Sequence, residues 1–318
     1  MSFRLTIIKK YLQYVIGFFC AYVIINYFYK HQKDFEKIFQ IQFTSLLSLA
    51  GLTLAVYFSD GIKLFFILEK SGLRNITLPR WLKIFFISRF INFYMVQGGN
   101  LYRAYLLKKE HQFTYTQLLG AIVFDTWLKT IVITFIPAVL FFFITPKIFI
   151  HHIYASFFLL TMALFVFIAP FLFKKTYFFF FFKKPLSGVF ENFHRLIDNF
   201  SCYFKDKKIL ILFCSCTLCS LGLNILWVNI CFNAIGVNFD LSKSMLFSIF
   251  VQFSKYVQII PGNIGLTEVV GGYLAQILDG NLGNGIIVVA IERALGYFIT
   301  CFLGLGYAKF YKTKSLDN

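Results

Sequence analysis

Residues 245–278 read MLFSIFVQFSKYVQIIPGNIGLTEVVGGYLAQIL, an apolar stretch broken in the middle by Pro261-Gly262-Asn263-Ile264-Gly265. Proline and glycine interrupt helices, because proline lacks a backbone N–H and glycine is conformationally free. A helix broken at membrane depth is tolerated only where protein or a wet cavity satisfies the freed backbone groups. The stretch therefore predicts a re-entrant hairpin beside a polar cavity.

A second interrupted piece, 81–96, stops at Gln97-Gly98-Gly99-Asn100 and predicts another re-entrant hairpin. The chain as a whole is apolar: 58% of its 318 residues are hydrophobic, 14% are charged and the mean hydropathy is +0.72. A soluble domain would need a more polar surface. We expect an all-α fold, a single membrane domain over residues 1–318. Six runs approach the ~20 residues that span a bilayer: 11–29, 43–68, 118–143, 153–173, 209–235 and 286–307.

The distribution of Lys and Arg predicts the orientation of these spans. If the hairpins do not cross, most cations fall on one side, and only Lys30, Lys33, Lys37, Lys147 and Lys243 fall on the other. Cytoplasmic loops carry the excess of Lys and Arg. We therefore expect a multi-pass protein of the cell membrane with both termini in the cytoplasm and a basic cytoplasmic loop at 174–208.

The same arrangement predicts an inverted repeat. Residues 43–143 and 209–307 each hold a span, a hairpin and a span, and the hairpins enter from opposite sides. Inverted repeats with broken helices recur in transporters, where the ligand lies between the repeats.

Charged residues inside the predicted spans mark candidate sites, because intramembrane charges are costly and usually face a functional interior. Asp125 and Lys129 are four residues apart, so they share a helix face and could simply neutralise each other. Glu292 and Arg293 point about 100° apart and each needs a partner on another element. Glu268 is the expected partner of Arg293. The acids could instead serve as proton relays or catalytic groups.

Lys255 precedes the second break and Arg103 follows the first, so together they could line a site for a phosphate headgroup. Alternatively, Arg103, with Lys108 and Lys109, is only an interfacial anchor. The net charge of +17 is assigned to membrane orientation, and we expect no nucleic-acid partner. Cys214, Cys216 and Cys219 are expected to be buried free thiols. No catalytic residue, metal or cofactor is assigned.

The motif Pro261-Gly262-Asn263-Ile264-Gly265-Leu266-Thr267-Glu268 resembles the Pro-Gly-Gly-x-Gly-x-x-Glu signature of the lysylphosphatidylglycerol synthase transmembrane-domain family, the flippase-like membrane proteins. The segment from Gly98 to Arg103 is similar to the family's Gly-acid-x-x-Arg element. The chain departs from the family at Asn263, at Asn100 and at Asp125-Thr126. The resemblance implies a lipid-handling protein, and we expect a stand-alone member without the soluble synthase domain.

The leading hypothesis is a flippase-like protein that binds an anionic or lipid-linked substrate and moves it between leaflets. A membrane-embedded transferase or accessory subunit, with Glu268 or Asp125 as base, and a scaffold for lipid enzymes remain alternatives. The expected partners are membrane lipids with phosphate headgroups, and enzymes of lipid biosynthesis are candidate partners. The candidate substrate-binding residues are Gly98, Gly99, Asn100, Arg103, Asp125, Lys129, Lys255, Pro261, Gly262, Asn263, Gly265, Glu268, Glu292 and Arg293.

Overall fold

The computed structural model describes residues 18, 20, 22, 23, 25–27, 29, 32–95, 97–144, 161, 164, 206–256, 263–279 and 281–314. These residues form helices and connections without a strand, which confirms the all-α prediction for this part of the chain. Several predictions fall mostly or wholly outside the described residues: nearly all of the span 153–173 and of the basic loop 174–208, much of the span 11–29, and Pro261 and Gly262. The helices are α1 (Gln32–Phe39), α2 (Phe43–Lys70), α3 (Leu78–Tyr94), α4 (Gly98–His111), α5 (Tyr115–Ile144), α6 (Lys207–Ala234), α7 (Leu241–Tyr256), α8 (Leu266–Asp279) and α9 (Leu282–Lys314).

Four of the helices are long and apolar enough to cross a membrane: α2, α5, α6 and α9. They correspond to the predicted spans 43–68, 118–143, 209–235 and 286–307. Helix α5 starts earlier than predicted, because Thr114 and Gln117 form a capping box. The backbone N–H of Thr114 donates to Gln117 Oε1 at 2.9 Å, and the backbone N–H of Gln117 donates to Thr114 Oγ1 at 3.3 Å. This reciprocal pair satisfies amides that the first helical turn leaves without partners.

Both interrupted pieces fold as two short helices on either side of a break, α3 with α4 and α7 with α8. At the first break, Gly98, Gly99 and Asn100 are not a stop but the first turn of α4. A Cβ on Gly99 would lie 1.8 Å from the carbonyl oxygen of Ser88 in α3, so only glycine allows this approach. The Gly99 N–H donates to Asn92 Oδ1 at 2.8 Å, which supplies an acceptor for the start of α4.

The order and lengths of the helices repeat along the chain. Helices α2 to α5 have 28, 17, 14 and 30 residues, and α6 to α9 have 28, 16, 14 and 33. The two halves thus share one sequence of long, short, short and long helices. The repeat of 43–143 and 209–307, and its inverted orientation, stay predictions.

The chain divides into two compact units whose boundaries fall inside helices. Unit 1 comprises Met1–Val56, Lys83–Tyr102 and Gly222–Asn318, and unit 2 comprises Tyr57–Leu82 and Arg103–Leu221. In unit 1 an aromatic core of Trp227, Phe232, Phe239 and Phe247 is packed with Ile287, Val288 and Val289 of α9. In unit 2 the indole of Trp81 is fully buried and its Nε1–H donates to the carbonyl of Gly61 at 2.8 Å.

Helices α8 and α9 in unit 1 pack at unusually short range through glycine. A Cβ on Gly285 would lie 2.1 Å from the carbonyl oxygen of Gly271, and one on Gly271 would lie 2.5 Å from Val289. Small residues let helix backbones approach closely, and membrane proteins use such contacts to hold helices together. The α8–α9 contact therefore fixes the second half of the broken helix against the last span.

Candidate functional site

Asn263 and Gly265 organise the break between α7 and α8. Both adopt left-handed backbone conformations, with φ of 53° and 92°. The Asn263 side-chain amide donates to the carbonyls of Ser254 and Lys255 at 3.1 and 3.3 Å. The last carbonyls of a helix lack intrahelical partners, and here a side chain supplies donors for two of them. The Asn263 side chain thus caps the end of α7 at the break.

Glu268 caps the start of α8. Its Oε2 accepts the Gly265 N–H at 2.8 Å, three residues before it, as the acid of a capping box does. The carboxylate is buried, with 9% of the side chain exposed. A carboxylate at a helix N-terminus is stabilised by the exposed amides and the helix dipole.

Arg293 of α9 binds this same carboxylate with two nitrogen atoms. Its Nε lies 2.7 Å from Glu268 Oε1, and its Nη2 donates to Glu268 Oε2 at 3.2 Å and to the carbonyl of Asn263 at 3.1 Å. The ion pair predicted from the sequence is therefore present. Because arginine presents its donors in a planar fork, this two-point contact fixes the geometry as well as the charge. We call Glu268, Arg293 and Asn263 the clamp.

The adjacent residue Glu292 makes a different contact. Its Oε1 lies 2.5 Å from Lys255 Nζ, at the end of α7. The Lys255 side chain is 41% exposed and the Glu292 side chain 26%. Two consecutive residues of α9 therefore bind opposite sides of the break, Glu292 the end of α7 and Arg293 the start of α8. We call Lys255 and Glu292 the open pair.

Unit 2 contains a second group of charges, on the candidate spans α2 and α5. Lys63 Nζ lies 3.0 Å from Asp125 and 3.5 Å from Asp60, and Lys129 Nζ lies 3.6 Å from Asp60. Only 2% of the Lys63 side chain is exposed, and its ammonium lies 4.9 Å from the ring centre of Phe213. A buried ammonium between two carboxylates avoids the large cost of an isolated charge.

Nearly the whole chain matches a known family. The family model described as lysylphosphatidylglycerol synthase TM region covers residues 14–304. The chain belongs to this family. Comparisons with curated proteins and with solved structures gave no match.

Membership of the lysylphosphatidylglycerol synthase TM family makes the two charged groups candidate parts of a lipid-related membrane domain. The clamp and the open pair lie in unit 1, and the Gly265 N–H donates to Glu268 of the clamp. That these residues bind a substrate stays a prediction. Gly98, Gly99 and Asn100 also belong to unit 1 and form the start of α4.

Arg103, which the sequence placed beside Lys255 and Arg293, belongs to unit 2. It is buried near the start of α4, with 7% of its surface exposed. Burial distinguishes it from Lys108 and Lys109 on the same helix, which are exposed and fit the role of interfacial anchors.

The alternative in which Asp125 and Lys129 neutralise each other does not match the ion pairs. Asp125 pairs with Lys63, and Lys129 pairs with Asp60. The i, i+4 spacing makes a contact within α5 possible, but each of the two side chains pairs with a residue of α2 instead. Sequence reasoning missed Asp60 and Lys63 as part of this group, although two opposite charges three residues apart inside an apolar span were a usable signal.

The cysteine expectation needs a correction. Cys214, Cys216 and Cys219 are free, but Cys219 is exposed and the other two are only partly buried. Successive helical residues are rotated by about 100°, so these three thiols cannot all face the core.

The geometry does not favour Glu268 as a catalytic base. Both of its oxygen atoms face Arg293, and one of them also accepts a backbone N–H. A general base must be able to take a proton from a substrate within hydrogen-bond reach. Glu268 is instead occupied by the contacts that close the break.

Proposed function

We propose that this protein binds a lipid with a phosphate headgroup at the break between α7 and α8 and moves it between the leaflets of the cell membrane. The observation that carries the proposal is the open pair, in which a partly exposed lysine lies at the end of a broken helix. Intramembrane cations of this kind mark substrate pathways in membrane proteins. The family description, which concerns a lipid-related membrane region, supports the same conclusion.

Among the cations of unit 1 near the break, Lys255 is the one suited to a headgroup. Arg293 is held by the clamp, with its guanidinium bound to a carboxylate and a carbonyl. The Lys255 ammonium pairs with a carboxylate that is itself partly exposed. A lysine ammonium has three donors, so further donors can reach a phosphate oxygen. The acyl chains stay in the surrounding lipid.

The proposal includes the predicted topology, with both termini cytoplasmic and the repeats 43–143 and 209–307 crossing in opposite directions. Its support is the positive-inside pattern and the repeated order of helix lengths. Broken helices in paired repeats recur in transporters and lie at their substrate sites.

Leaflet exchange in proteoliposomes tests the proposal. The vesicles carry a fluorescent phosphatidylglycerol or a fluorescent neutral diacylglycerol, and a membrane-impermeant quencher reports the outer leaflet. We expect the protein to accelerate exchange of the anionic lipid, and Lys255→Met to remove most of this acceleration. Lys243→Met, the same charge change at the other end of α7, is the matched control and should retain it. Exchange no faster than in protein-free vesicles would refute translocation.

A further inference from the structure

The two ion pairs of α9 at the break differ in every feature that decides which one can open. The clamp joins two nitrogen atoms of Arg293 to both oxygens of Glu268 and adds two backbone contacts. The open pair joins one nitrogen to one oxygen. Partly exposed ion pairs contribute little to stability, whereas separating a buried, hydrogen-bonded pair is costly. A ligand that competes with a carboxylate will therefore displace Glu292 and not Glu268.

The two helices beside the break also differ in how firmly they are held to α9, and α8 is held more firmly than the end of α7. Helix α8 is held to α9 by the clamp and by the close approach of Gly271 to Gly285. The Lys255 side chain is held to α9 by the partly exposed contact with Glu292, and the last carbonyls of α7 are held by the Asn263 side chain of the clamp. Further from the break, α7 is anchored in the aromatic core by Phe247 and Val251. Loss of the open pair would thus free the Lys255 side chain while the backbone of α7 stays in place.

Charge balance indicates how a headgroup would enter. Lys255 and Arg293 are matched by Glu292 and Glu268, so the group is neutral as it stands. An arriving phosphate can gain a full ion pair with Lys255 only by replacing the carboxylate already there. Glu292 thus reduces the affinity of the site for anions, since a competing partner must be displaced.

We propose that Glu292 is a built-in counter-ion of Lys255, that a phosphate headgroup takes its place on the lysine, and that this exchange frees the Lys255 side chain from α9 while the clamp keeps the end of α7 and the start of α8 in place. The inference rests on the proposed function, because it concerns the same site. It assigns the selectivity for anions to Lys255 and the regulation of affinity to Glu292.

Binding measurements on the full chain in detergent test the exchange. The probes are short-chain phosphatidic acid, diacylglycerol of the same chain length, and inorganic phosphate. We expect Glu292→Gln to bind phosphatidic acid roughly threefold to tenfold more tightly than the wild type, as expected for the loss of a competing pair worth about 1 kcal/mol. Binding of phosphatidic acid but not of inorganic phosphate would identify the ligand as a lipid; tighter binding of both by the variant would identify the shared phosphate chemistry.

Glu69→Gln is the matched control, because it makes the same charge change at an exposed residue at the end of α2. Glu292→Asp keeps the charge but shortens the side chain, and it should give a smaller increase of the same sign if Glu292→Gln does not fold. Lys255→Met should lose the preference for phosphatidic acid over diacylglycerol.

Two results would overturn the inference and are distinguishable. If the wild type does not prefer phosphatidic acid to diacylglycerol, the proposed function fails together with the inference. If the wild type has this preference but the folded Glu292 variants bind no more tightly than Glu69→Gln, only the counter-ion role is refuted.

Discussion

The clamp makes a quantitative prediction about stability, which a double-mutant cycle can measure. Arg293→Met leaves the Glu268 carboxylate, 9% exposed, without its cation. Removing one partner of a buried ion pair costs ~3–5 kcal/mol. Because 21% of the Arg293 side chain is exposed, we expect the lower end, a loss of about 3 kcal/mol in the free energy of unfolding.

The double variant Arg293→Met with Glu268→Gln should be less destabilised than Arg293→Met alone. Glutamine can still accept the Gly265 N–H, and no charge remains buried. The residual loss is chiefly the hydrogen bond from Arg293 to the carbonyl of Asn263, worth about 1 kcal/mol. Glu268→Gln alone leaves an arginine without its carboxylate and should cost about 2 kcal/mol.

These values give a coupling energy of about 4 kcal/mol between the two residues, slightly above the ~0.5–3 kcal/mol that contacting residues usually show. The assay is reversible unfolding of the four proteins in mixed micelles, followed by circular dichroism. Arg293→Lys is a useful control, because lysine keeps the charge but cannot form the two-point contact. If the losses in the single variants simply add in the double variant, the clamp is not a coupled unit and the reasoning is wrong.

Three further outcomes follow from the structure. Lys63→Met should lower the free energy of unfolding by ~3 kcal/mol, and Lys129→Met should lower it by less. The reason is that Lys63 is almost fully buried between two carboxylates, whereas Lys129 is partly exposed. Equal losses in denaturant titrations would contradict this. Gly285→Ala should destabilise the protein by ~1–3 kcal/mol, because the added methyl group overpacks against α8. Gly222→Ala, at a helical position with open space, should stabilise it by up to ~1 kcal/mol. Thermal unfolding that does not separate these two variants would refute the close-contact argument. The hydrogen bond from Lys70, followed by the backbone N–H groups of Ile209 and Lys208, lowers the pKa of Asp206. Asp206 therefore stabilises the fold above the ordinary aspartate pKa of about 4 and loses this effect as the pH falls through its lowered value; the difference in melting temperature between wild type and Asp206→Ala should accordingly vanish in acid, and a difference that persists there would point to another cause.

Much of the fold could be predicted because it depends on local composition. The four long helices α2, α5, α6 and α9 agree with predicted spans within a few residues at most of their ends. The breaks at 97–100 and 261–265 were visible as glycine and proline in apolar surroundings. What composition could not give was the position of Gly98 and Gly99 inside the first turn of α4, which depends on the close approach of α4 to Ser88 in α3.

The site was predictable only where the candidates were few. Glu268 was the acid next to the second break, so its pairing with Arg293 followed from the need for a partner. Asp125 had a nearby cation in sequence, yet it pairs with Lys63 on α2. Local spacing says which contacts are possible, but it does not say which element packs alongside.

The sequence by itself determined that this chain is a helical membrane protein with two broken helices. Long apolar runs must satisfy their own backbone hydrogen bonds in lipid, and only a helix does so within one segment. Only the tertiary structure decided that Arg293 is closed in by Glu268 and Asn263 while Lys255 stays partly open. The reason is physical: the strength of an ion pair depends on its burial and on its further hydrogen bonds, and both are set by packing between segments far apart in the chain.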